Sequence, residues 1–125
     1  MSESPRERIE QAVEPLLRRG FSVRRLEENP ASFGNTVIVL DSQQYSLRIL
    51  SERGQVFVDV KEAGHEPERW YDLSRILTLE GLQPNEGPWE TPQAAVDALE
   101  RHEAVVIRVL AEPHDRSRVK QLWPY

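Results

Sequence analysis

The chain has 125 residues, no cysteine and a formal net charge of −5 at pH 7, from 21 Asp and Glu against 16 Lys and Arg. That length predicts a single α+β domain over residues 1–125, able to bury roughly two-thirds of its unfolded surface without staples. The lack of Cys removes disulfides, thiolate metal sites and thiol nucleophiles, and the acidic balance disfavours a broad phosphate-binding surface, so no nucleic-acid partner is expected. No apolar run approaches the roughly 18 residues of a membrane span, and the polar start Met1-Ser2-Glu3-Ser4 is no signal peptide. A cytoplasmic location and no membrane partner follow as expectations.

In chain order, Ser4-Pro5-Arg6-Glu7 combines a capping Ser, Pro at the first helical position and Glu at the third, which predicts a helix over 5–19. Ile9, Ala12, Val13, Leu16 and Leu17 form its apolar stripe, Pro15 predicts a kink, and Gly20 supplies the stop. Phe21–Leu26 alternates weakly and reads as an edge strand blunted by charge. Asn29-Pro30-Ala31-Ser32 reads as a loop.

Residues 33–62 carry the dominant signal, three antiparallel strands joined by two tight turns. With Arg53-Gly54 as the second turn, Leu50 faces Phe57, Ile49 faces Val58, Arg48 faces Asp59 and Leu47 faces Val60. With Ser42-Gln43 as the first turn, Leu40 faces Tyr45 and Ile38 faces Leu47. One face then collects Ile38, Leu40, Tyr45, Leu47, Ile49, Val56, Val58 and Val60, the expected core. The other collects Val37, Val39, Ser46, Arg48, Leu50, Phe57, Asp59 and Lys61, a mixture suited to partial cover or to binding.

Beyond Glu62, a helical pattern in Trp70, Leu73, Ile76 and Leu77 ends at Gly81, with Pro67 or Asp72 as its start and Trp70 pointing inward. Residues 82–90 are rich in turn formers and form a loop. Thr91-Pro92 opens a helix read over 92–111, although 104–110 is β-branched enough to be a strand. Val119, Leu122 and Trp123 lie on one side of a final turn or helix. The fold class is therefore α+β, an antiparallel meander of three to four strands packed on one face by an N-terminal helix and C-terminal helices.

No catalytic constellation emerges. His65, His102 and His114 lack a second ligand at helical spacing and read as surface or structural residues. There is no phosphate-cradling Gly loop and no nucleophile elbow, so no catalytic residue, metal or cofactor is assigned. Arg48 and Asp59 read as a cross-strand ion pair worth roughly 0.2–1 kcal/mol. With Leu50 and Phe57 beside them they resemble an interface centre with a polar rim. Trp89, in a loop between Pro-containing turns, is either tucked as a lid or presented to a partner. The candidate binding surface is thus Arg48, Leu50, Phe57, Asp59 and Trp89.

The order helix, then a meander with Phe33-Gly34-Asn35 ahead of its first strand, Arg53-Gly54-Gln55 in its hairpin and Trp70-Tyr71-Asp72-Leu73 beyond, resembles small bacterial immunity proteins and related uncharacterised α+β domains. The resemblance covers residues 33–80 and implies a cytosolic non-enzyme that neutralises a toxin from a neighbouring gene by binding it. It assigns no residue role here. The expected function is accordingly a non-enzymatic protein-binding module, an immunity protein among the options, with a basic protein partner. A reading of a different class is a small-ligand-binding protein or small hydrolase with a pocket between sheet and helices near Tyr45, Arg48 and Asp59. A third is a structural or adaptor subunit.

Overall fold

A computed structural model describes residues 4–29, 35–64 and 69–119. Its strands, β1 (Ser22–Asn29), β2 (Asn35–Asp41), β3 (Tyr45–Glu52), β4 (Gln55–Glu62) and β5 (Tyr71–Asp72), form one antiparallel sheet in sequence order. Its helices are α1 (Pro5–Arg18), α2 (Leu73–Leu79), α3 (Pro92–Arg101), α4 (Glu103–Ala111) and α5 (Pro113–Val119). The α+β meander is the one the alternation predicts, lengthened by β5. The Phe33-Gly34 pair, residues 30–32 of the expected loop, His65, Pro67, Leu122 and Trp123 lie outside the described residues.

The second hairpin follows from its turn. Arg53 at φ 50° and Gly54 at φ 79° both take the left-handed conformation of a primed two-residue turn, whose twist matches that of the strands. The register is as expected, with Leu50 opposite Phe57, Arg48 opposite Asp59 and Leu47 opposite Val60. The first hairpin differs. Leu40 pairs with Leu47 and Ile38 with Ile49 rather than with Tyr45 and Leu47. The loop moves on because the Ser42 hydroxyl donates to the Tyr45 carbonyl at 2.8 Å and accepts from the Tyr45 amide at 3.2 Å, closing the chain around Gln43-Gln44. The slip is two residues, one full strand period, so every side chain keeps its predicted face.

All five helices contribute to one cluster with the predicted core face. Ile9 and Leu16 of α1, Leu73 and Ile76 of α2, Val96 and Leu99 of α3, Val106 and Leu110 of α4 and Val119 of α5 meet Ile38, Leu40, Tyr45, Leu47, Ile49, Val58 and Val60. Helix α1 starts with the capping box, the Ser4 hydroxyl accepting from the Glu7 amide at 3.1 Å, and runs through Pro15. Leu17, expected in its stripe, is exposed instead. Of the two possible starts for α2, Asp72 is the cap. The helix expected over 92–111 is broken at His102, whose φ of −116° and ψ of 22° leave the helical region. The break separates α3, packed on α1, from α4, packed on α2 and α5, while both rest on β4. Residues 104–110 are helical, so their β-branched content yields to packing against the sheet.

Candidate functional site

The meander's second face carries three cross-strand rows. The first runs Glu27, Val37, Leu50, Phe57 from β1 to β4. Beside it runs Arg25, Val39, Arg48, Asp59, Asp72, reaching β5. The third is Asp41, Ser46, Lys61. Rows form because facing residues on a pleated sheet point the same way, and their composition grades the face from apolar to charged.

The Arg48–Asp59 pair at the centre of the middle row is not half-exposed, as an ordinary surface ion pair would be. Arg48 is 9% exposed and Asp59 5%. The guanidinium donates to Asp59 Oδ2 from Nε at 3.1 Å and from Nη2 at 2.7 Å. Cover comes from Trp70, itself 4% exposed, whose ring lies 4.5 Å from the Arg48 guanidinium carbon and 5.8 Å from Lys61 Nζ. A cation over an indole face gains about 0.5–2 kcal/mol, more as water is excluded. Trp70 is therefore not the inward anchor of a helix. It precedes β5, where strand alternation sends Tyr71 to the core and Trp70 and Asp72 to the other side.

Burial shapes the carboxylates. Loss of water pushes the Asp59 carboxyl above its ordinary value, opposed by hydrogen bonds and charge from Arg48. The Asp72 carboxyl is pushed up to about 6, first by burial and further by the neighbouring Asp59, while hydrogen bonds from Ser74 pull the other way. Both Asp72 oxygens serve the cap, Oδ1 accepting from the Ser74 amide at 3.0 Å and Oδ2 from its hydroxyl at 3.3 Å. The buried part of the row, Arg48, Asp59 and Asp72, is thus held by its own partners. Next to it the apolar row is open, with Phe57 37% exposed and Val37 and Leu50 half-buried.

The chain was compared with protein-family models, curated proteins and solved structures. Nothing matches. The geometry of the chain itself therefore carries the functional reading.

Of the five candidate binding residues, Arg48, Leu50, Phe57 and Asp59 lie together on this face, and Trp89 does not. Trp89 forms a bridge with Val56, its amide donating to the Val56 carbonyl at 2.7 Å and its carbonyl accepting from the Val56 amide at 3.2 Å. Its ring packs against the helix-side core, so it acts as a lid on the edge of β4. Tyr45 is also on the helix side. Its hydroxyl donates to Glu103 at 2.7 Å, Arg19 donates to the same carboxylate oxygen at 2.7 Å, and Phe21 meets its ring edge-on with centroids 5.3 Å apart. Tyr45 and the Arg48–Asp59 pair are thus separated by the thickness of the sheet and line no common space. Among the described residues no group of three or more His, Asp or Glu is placed to hold a metal ion. His102 sits at the α3–α4 break and His114 on the exposed start of α5.

Sequence reasoning placed Lys61 on this face, as the structure does, but missed Trp70 and Asp72 as parts of it. The available signal was Trp70-Tyr71-Asp72 read with a period of two rather than 3.6. Three residues are too short a window for that choice.

Proposed function

We propose that the chain is a non-enzymatic protein-binding module whose contact surface is the face of the meander that, among the described residues, carries no helix, centred on Phe57. The observation that carries this reading is the apolar row of half-buried Val37 and Leu50 and exposed Phe57, set directly against the Arg48–Asp59 pair pinned under Trp70. An accessible aromatic on a rigid strand, flanked by fixed charges, has the composition of an interface centre and loses little side-chain freedom on binding. The resemblance to immunity proteins supports a toxin as the partner, and the net charge of −5 supports a basic one.

The test is co-expression with the product of the neighbouring gene. Wild-type chain relieves that product's toxicity and co-purifies with it, whereas Phe57→Glu, which places a charge at the centre of the row, does neither while keeping its circular dichroism. Full relief by the Phe57→Glu variant, or a neighbour that is harmless and does not associate, contradicts the proposal.

A further inference from the structure

Strand β1 has β2 on one side and, among the described residues, no strand on the other. Residues 22–25, 27 and 28 are exposed, and an edge of unpaired backbone donors and acceptors is a template for a further strand. The charges along it run Arg24-Arg25-Leu26-Glu27-Glu28, antisymmetric about Leu26. In an antiparallel pair formed by a two-fold axis at Leu26, Leu26 faces its own copy and Arg25 faces Glu27 of the second copy, twice over.

We propose that β1 pairs with β1 of a second copy of this chain about that axis, joining two five-stranded sheets edge to edge. The register is selective. Facing residues must share a sheet face, so alternative axes move by one residue along the strand. An axis at Arg25 sets Arg25 against itself, and one at Glu27 sets Glu27 against itself, both like-charge contacts that destabilise. In the single chain Arg25 bonds Glu27 on its own strand at 3.0 Å, with both side chains more than half exposed, so the same groups need only exchange partners. Leu26, partly buried against the helix-side core, extends that core across the junction. Regular pairing is short, because β1 bulges between Val23 and Arg25 and Arg24 turns to bond Asp41 at 3.0 Å. A contact this small belongs with weak, transient interfaces, with a dissociation constant on the order of 100 µM.

Sedimentation velocity over a range of protein concentrations tests the proposal with three samples. Wild type dimerises as concentration rises. Arg25→Glu and Glu27→Arg, both at exposed positions, each weaken the dimer at least tenfold, because each sets like charges across the axis. An equimolar mixture of the two variants restores association, since one then presents carboxylates and the other guanidinium groups at positions 25 and 27. A wild-type chain monomeric at every concentration, or single variants that dimerise as wild type does, overturns it.

Discussion

Val58 lies in the middle of β4 on the helix-side face, 1% exposed and opposite Ile49. Val58→Ala removes two buried methyl groups from a site closed by helices, and the loss expected in urea denaturation is about 2 kcal/mol. A loss under about 0.5 kcal/mol, the size of a surface change, would place Val58 outside the core. Arg48 and Asp59 behave differently from the exposed pair that facing charges on a strand suggest. Both are buried, so Asp59→Ala leaves a guanidinium desolvated without its carboxylate, and a cost of about 3 kcal/mol is expected. A double-mutant cycle should give a coupling of about 1–3 kcal/mol. Coupling near zero would mean that the pair is solvated. The pairing was legible in the sequence, because the Arg53-Gly54 turn dictates it. The burial was not, since it depends on Trp70, a ring supplied from beyond the meander.

At the scale of elements, the first hairpin shows which information is robust. Its turn lies one residue beyond the expected Ser42-Gln43 and its register slips by two, yet Ile38, Leu40, Leu47 and Ile49 keep their face, because only an odd slip inverts a strand. The break at His102 was not legible, since Val96, Leu99, Val106 and Leu110 keep helical spacing across it and only the different packing partners of α3 and α4 reveal it. Asp72, the cap of α2, carries a pH signature. Its folded carboxyl titrates near 6, above the ordinary 3.8, so the folded state holds the extra proton between those values. Its contribution to stability is full below about pH 4 and is lost as pH rises through 6. Asp72→Asn keeps a capping oxygen without the buried charge. It should gain on the order of 1 kcal/mol over wild type at pH 7.5, allowing for partial solvent screening, and nothing at pH 4. Urea midpoints at the two pH values decide this, and an unchanged difference between them would contradict it.

At the scale of the molecule, the described residues close one face of the sheet with five helices and offer on the other an apolar row beside a fixed charge pair. The fold class was readable from turn chemistry and alternation. That Arg48, Leu50, Phe57 and Asp59 share one face was readable too, because register alone brings them together, whereas the place of Trp89 depends on a bridge to Val56 that no local pattern announces. With a net charge of −5, association with a basic partner should slow steeply from low to physiological salt while dissociation changes little. Stopped-flow rates that do not respond to salt would contradict a charge-steered encounter. The most direct measurement is the dissociation constant of the complex with the neighbouring gene's product, determined by calorimetry for wild type and for Phe57→Ala. A central aromatic contact contributes at least about 2 kcal/mol, so the account predicts a loss of roughly 30-fold or more with unchanged thermal stability. Affinities within twofold of each other would show that the partner binds elsewhere.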